Sequence, residues 1–139
     1  MKKNVISEEI ALDELKKFIH KWVKRPCKDE ELAEEYPDIL EAIMLGNLKI
    51  DPTTLEPVYT LVHPIKNDKG EVSMSQVNFK TRIKPNTKAD LANGIDLKKQ
   101  VAKYSLIVTA YIAGVTTREL DLFEREDYDV ISQVAVVFM

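Results

Sequence analysis

Residues 58–83 read VYTLVHPIKNDKGEVSMSQVNFKTRI, and this stretch decides the fold class. It opens with a run of β-branched, aromatic and aliphatic residues, which favours a strand. Residues 67–70 (NDKG) predict a hairpin turn, because glycine adopts a positive φ without strain. A returning strand is expected over residues 72–83, with one parity apolar and the other mostly polar. The stretch therefore predicts a β-hairpin with one buried face. The apolar parity contains Val77, Phe79 and Ile83.

Helical patterns precede this hairpin. Residues 7–24 carry apolar side chains at spacings of three and four, with Ser7 as a plausible N-cap. Residues 29–46 keep helical spacing through Pro37, which either kinks this helix or begins a new one. We therefore expect a helical N-terminal lobe over residues 1–50.

Helical patterns also follow the hairpin. A short helix is expected over residues 88–93, and a longer one over residues 96–113 with Asp96 as its cap. The last element, residues 127–139, fits a helix, but the β-branched residues within 134–138 leave a strand as the alternative. The expected fold is α+β and mostly helical. It combines an N-terminal helical hairpin, one central β-hairpin and a C-terminal helical cluster.

Composition narrows the class of protein. The chain has 139 residues, of which 45% are hydrophobic and 31% charged, and this predicts a single globular domain over residues 1–139. Its net charge of −3 argues against a general nucleic-acid binder. A single cysteine, Cys27, suits a reducing compartment. Because no apolar run approaches membrane-spanning length and the N-terminus has no secretory pattern, we expect a soluble, cytoplasmic protein without membrane contact.

The residue types that usually carry catalysis do not form a recognisable pattern. His20 and His63 have no cysteine or second histidine at ligand spacing, which argues against zinc. Cys27 lies in a basic stretch, but no signature of a positioned base or oxyanion site accompanies it. The glycines read as turns and helix ends and do not form a phosphate cradle. We therefore expect neither an enzyme nor a cofactor.

An acidic cluster lies near the last predicted helix. It lacks the spacing and the central glycine of a calcium loop. We interpret it as the solvated acidic start of a helix, where negative charge is favourable. Its members are Glu124, Glu126, Asp127 and Asp129.

Charge is also distributed in blocks. Residues 16–28 contain six basic side chains, and residues 29–41 contain seven acidic ones and no basic one. In a helical hairpin these blocks would pair internally; alternatively, they would order a homo-oligomer. A basic patch is expected on the solvated face of the β-hairpin, and it leaves a small nucleic-acid-binding regulator as the less favoured alternative. Aromatic side chains that would stack on bases are absent from that parity, which argues against this reading. The patch comprises Lys80, Arg82, Lys84 and Lys88.

The last element is more apolar than burial of one helix face requires. Core packing accounts for one face, and a second face would meet another subunit or a partner. The candidate partner-binding residues are Val130, Val134, Val137 and Phe138.

The order of these elements resembles the tail assembly chaperones of tailed bacteriophages. The resemblance covers residues 57–139, and it consists of short phrases in a fixed order. These are Leu61-Val62-His63-Pro64-Ile65, the turn at 67–70, Val77 to Arg82, Ala89-Asp90-Leu91, Tyr111 to Gly114, Leu120 to Phe123, Asp127 and Val136-Val137-Phe138.

The resemblance implies a protein without enzymatic activity that acts in the cytoplasm of a bacterial host. Proteins of this family bind the tape-measure protein and keep it soluble until the tail tube assembles around it. The expected partners are therefore the tape-measure protein and other phage tail proteins, with a homo-oligomer as a further expectation. The alternative is a structural morphogenesis protein, such as a head–tail connector or a tube-associated subunit.

Overall fold

A computed structural model describes residues 4–26 and 28–139 and confirms the α+β class. Cys27 lies outside the described residues, so its predicted inertness stays a prediction. The helices are α1 (Glu8–Trp22), α2 (Leu32–Glu35), α3 (Pro37–Met44), α4 (Pro85–Leu91), α5 (Val101–Ala113), α6 (Thr117–Leu120) and α7 (Arg125–Phe138), and the strands are β1 (Leu48–Ile50), β2 (Pro57–Lys66) and β3 (Val72–Asn78).

The N-terminal helices follow the predicted pattern closely. The Ser7 hydroxyl accepts the Ile10 N–H at 3.3 Å and caps α1. The second predicted helix is interrupted at Tyr36, whose φ of −127° and ψ of 55° are not helical. Pro37 then begins α3. Its lack of an N–H costs nothing there, because an N–H in the first turn of a helix has no acceptor within the helix. Of the two predicted roles for Pro37, the structure therefore shows the start of a new helix.

The sheet has one strand more than the predicted hairpin. It is antiparallel in the order β1-β2-β3, and the short strand β1 pairs with the start of β2. β3 ends at Asn78, earlier than the predicted end at Ile83. The reason is that the Lys80 N–H donates to the Ile112 carbonyl at 2.7 Å, so the chain leaves β2 and meets α5.

The pairing of β2 with β3 contains a bulge. Thr60 lies opposite Gln76 and Ile65 opposite Met74, so β2 uses more residues than β3 between these pairs. Pro64 lies in this bulge and has no N–H to donate. The bulge bends the part of β2 that faces α7.

Two boundaries in the C-terminal half differ from prediction. α4 begins at Pro85, where proline suits the first helical turn, and ends at Leu91. α5 begins at Val101, and Asp96 does not cap it. Instead, the Asp96 carboxylate accepts the Lys98 N–H at 3.0 Å and closes a turn before the helix.

The last element is a helix, which resolves the alternative left by its β-branched residues. α7 packs against α1, α3, α5 and β2. Near its end, the Phe138 ring meets Phe18 and Trp22 edge-on, with centroids 5.9 and 5.3 Å apart. Neither residues 4–26 nor residues 28–139 contain a helix with the length and apolar character needed to cross a bilayer.

Candidate functional site: an acidic groove between α3 and α7

A groove runs between α3 and α7. It consists of two clefts of about 480 and 360 Å³ that share Asp38 and Asp129 in their walls. Apolar side chains and two tyrosine rings form much of its lining. These are Tyr36, Ala42, Leu45, Tyr59, Val62, Val130 and Val136.

The charged side chains of the groove are almost all acidic. Five carboxylates line it against one guanidinium, that of Arg125. Arg125 lies 3.8 Å from Asp129, so its charge is already partly compensated. We call this surface the acidic groove. Its carboxylates are Glu35, Asp38, Glu41, Glu126 and Asp129.

The carboxylates of the acidic groove act on one another. Burial raises the pKa of Asp38 above its ordinary value, and the negative charges of Asp129 and Glu41 raise it further. Like charges held close together favour the neutral form of the acid. A positively charged group entering the groove would therefore relieve this repulsion.

The two walls of the groove are joined by one amide. Gln133 on α7 accepts the Ile39 N–H at 2.9 Å and donates to the Asp38 carboxylate at 3.4 Å. The Ile39 N–H lies in the first turn of α3, where helix geometry provides no acceptor. Gln133 thus satisfies that donor and sets the spacing of α3 and α7.

Asp127 organises the floor of the groove. Its side chain is fully buried and accepts the Tyr59 O–H at 2.6 Å and the Val62 N–H at 2.9 Å through Oδ1. Through Oδ2 it accepts the His63 N–H at 2.9 Å. The two backbone donors belong to the bulge of β2. Burial, followed by the hydrogen bond to Asp127, raises the pKa of Tyr59, so this ring stays a hydrogen-bond donor.

This geometry corrects the interpretation of the acidic cluster as a solvated helix start. Asp127 lies in the first turn of α7, where negative charge is favourable, but it faces inward and binds β2. Glu126 and Asp129 line the acidic groove, and Glu126 also lies 3.2 Å from Nε2 of His63. No signal in the sequence separates Asp127 from the neighbouring acids Glu126 and Asp129, because only the packing of α7 on β2 buries it.

The four residues predicted to bind a partner lie in the core. Val130, Val134, Val137 and Phe138 are each less than a tenth exposed, because α7 is covered by four other elements. These residues therefore do not form a second, exposed face of α7, and the sequence-based prediction of such a face is wrong. Partner binding through them stays a prediction that would require the core to open. The exposed apolar side chain of α7 is Val136, and it lines the acidic groove.

Two lysines of the predicted basic patch form local contacts. Lys80 Nζ lies 4.1 Å from the centre of the Tyr111 ring and donates to the Tyr111 carbonyl at 3.1 Å. Lys88 Nζ donates to a main-chain oxygen of Met139 at 3.0 Å. Arg82 and Lys84 are exposed. Because β3 ends at Asn78, these four residues do not continue one strand face, contrary to the prediction.

The charge blocks meet in part within the chain. Asp29 contacts Lys16 at 3.0 Å and His20 at 3.3 Å, as internal pairing predicts. Several acids of the second block instead line the groove, namely Glu35, Asp38 and Glu41.

Metal binding has no support in the described part of the chain. There, no three histidine, cysteine, aspartate or glutamate side chains are grouped so that they would hold an ion.

Comparisons with known proteins assign no relative. No protein-family model, no curated protein and no solved structure matches this chain. The acidic groove is therefore interpreted from its own shape and chemistry.

Proposed function

We propose that this protein is a tail assembly chaperone of a tailed bacteriophage or prophage. In this proposal it acts in the bacterial cytoplasm, binds the long helical tape-measure protein as its client, and keeps that client soluble during tail assembly. The proposal joins the sequence resemblance over residues 57–139 to the groove between α3 and α7.

The observation that carries the proposal is the lining of the acidic groove. A protein that holds a helix in solution needs an apolar trough with a charged rim, because the apolar side chains of the bound helix must leave water. The groove combines apolar lining side chains, among them Leu45, Val62 and Val136, with carboxylates on both walls. Its walls are two helices joined through Gln133, so the trough is formed before a client arrives.

The test is co-expression with the proposed client, the tape-measure protein of the phage or prophage that encodes this chain. We expect the client to stay soluble and to co-purify only when this chain is present. Val136→Glu should abolish co-purification, because Val136 lines the groove and a buried carboxylate would face an apolar helix. Val136 is 58% exposed, so the substitution leaves the core packed.

Val72→Glu is the matched control. Val72 is 55% exposed at the start of β3 and does not line the groove, so this variant should keep the client soluble. A client that stays insoluble beside the unchanged protein would contradict the chaperone function. Finding this chain in finished particles would favour the structural morphogenesis protein instead.

A further inference from the structure

The acidic groove follows one stripe of α7. The α7 residues that line the groove recur at spacings of three and four, so they lie on one side of the helix. At a rise of about 1.5 Å per residue the stripe is roughly 16 Å long, which matches about three turns of a bound helix. Its members are Arg125, Glu126, Asp129, Val130, Ser132, Gln133 and Val136.

Acids from two helices border the apolar part of this lining. Asp38 and Glu41 belong to α3, and Asp129 belongs to α7. All three line the larger cleft together with the apolar side chains of Leu45 and Val130. A helix that places its apolar side chains against this lining would therefore meet negative charge along both of its flanks.

The acids on α3 have no countercharge of their own. Within residues 4–26 and 28–139, neither Asp38 nor Glu41 forms an ion pair, and Asp129 lies 3.8 Å from Arg125. Besides burial, the negative charges of Asp129 and Glu41 raise the pKa of Asp38, so these acids are close enough to repel one another. A bound cation would lower this repulsion.

We propose that the client segment bound in the acidic groove is basic. It is an amphipathic helix of about three turns, with one apolar stripe and with lysine or arginine side chains along both flanks. This inference rests on the proposed chaperone function, in which the groove holds the client, and it names the chemistry of the segment that is held. A helix with acidic flanks would add to the repulsion between the groove acids and would not bind.

Three synthetic helical peptides test this chemistry. They share one apolar stripe of leucines, and their flanks carry only lysine, only glutamine or only glutamate. The full-length protein is titrated against each dye-labelled peptide, and fluorescence anisotropy measures the Kd. At low salt the lysine peptide should bind at least about tenfold more tightly than the glutamine peptide, and the glutamate peptide should not bind. The advantage of lysine should decrease above about 0.1 M salt, because ions screen charges at an open surface.

A charge-reversed variant shows whether the groove is the binding site. It carries Glu41→Lys and Asp129→Lys, which reverse one acid on each wall. This variant should bind the glutamate peptide more tightly than the lysine peptide, and an unfolded protein would not show such a gain.

The matched control carries Asp68→Lys and Glu71→Lys at the β2–β3 turn. These residues do not line the groove, and the two substitutions change the net charge by the same amount. The control should prefer the lysine peptide as the unchanged protein does, because the charges in the groove are intact. Circular dichroism confirms that both variants are folded before titration.

A fourth peptide tests recognition by both walls. It carries lysine on one flank and glutamine on the other. It should bind more weakly than the peptide with lysine on both flanks, because only α3 or α7 then meets a countercharge. Equal affinities of these two peptides would contradict recognition of both flanks.

The proposal is overturned if no peptide binds, if the first three peptides bind equally, or if the groove variant still prefers lysine. A matched control that loses the preference would also overturn it, since overall charge would then explain the binding. Co-expression separates this inference from the chaperone function. A client kept soluble by a chain that binds the peptides without regard to charge would reject only the basic segment. Selective binding of the lysine peptide beside an insoluble client would reject the tape-measure client.

Discussion

A single buried carboxylate connects the last helix to the sheet. Asp127 accepts hydrogen bonds from one tyrosine and two backbone N–H groups. The two N–H groups lie in the bulge of β2. Without this acceptor, buried donors would be left unsatisfied, which costs more than the bond itself contributes. Asp127 therefore couples the shape of β2 to the position of α7.

We predict that Asp127→Asn lowers the free energy of unfolding by about 2–4 kcal/mol. The asparagine amide has the same size as the carboxylate. Its NH₂ group, however, would face an N–H or O–H donor whose hydrogen bond a carboxylate oxygen now accepts. Urea denaturation measures the loss. Asp129→Asn is the control, because Asp129 lines the open groove, and it should change stability far less. Equal stability of the two variants would contradict the role given to Asp127.

At the scale of elements, the valines of α7 differ in burial although the composition of the helix gives no reason for a difference. Val134 is fully buried, whereas Val136 is 58% exposed in the groove. Both are valines in one apolar run, so only the packing of neighbouring elements distinguishes them. The helix therefore has one core face and a narrow groove face.

This division predicts opposite results for two identical substitutions. Val134→Asp should unfold the protein, because it places an unpaired charge in the core at a cost of several kcal/mol. Val136→Asp should leave the helical circular dichroism signal and the unfolding midpoint nearly unchanged. If both variants stay folded, Val134 is not in the core that we describe.

At the scale of the whole molecule, the acidic groove is assembled from distant parts of the chain. Asp38 and Glu41 belong to α3, and Asp129 belongs to α7. Folding brings these carboxylates together and raises the pKa of Asp38. The folded state therefore carries an electrostatic cost that the unfolded chain avoids.

We predict that Asp38→Asn stabilises the protein at neutral pH by about 0.2–1 kcal/mol. With a raised pKa, folded Asp38 takes up a proton before unfolded Asp38 does. The unchanged protein thus gains stability relative to the variant as the pH falls, and the difference disappears below the ordinary value of 3.8. Thermal unfolding of both proteins across this range is the measurement. A difference that does not vary with pH would contradict the proposed repulsion.

Local rules were sufficient for most elements. Helical spacing and the Ser7 cap predict α1, and the turn at residues 67–70 predicts the β-hairpin, because these signals come from neighbours along the chain. β1 was not predicted, because a three-residue strand is stabilised only by its pairing with β2. The end of β3 likewise depends on Ile112, which is far away in sequence.

The sequence by itself determined the α+β class, the Ser7 cap of α1 and the blocks of opposite charge, since each depends on local spacing. Only the tertiary structure decided which apolar residues of α7 are core, that Asp127 is buried, and that Asp38, Glu41 and Asp129 share one groove. Burial and the approach of charges are properties of elements that pack together from distant parts of the chain. No local pattern encodes that packing.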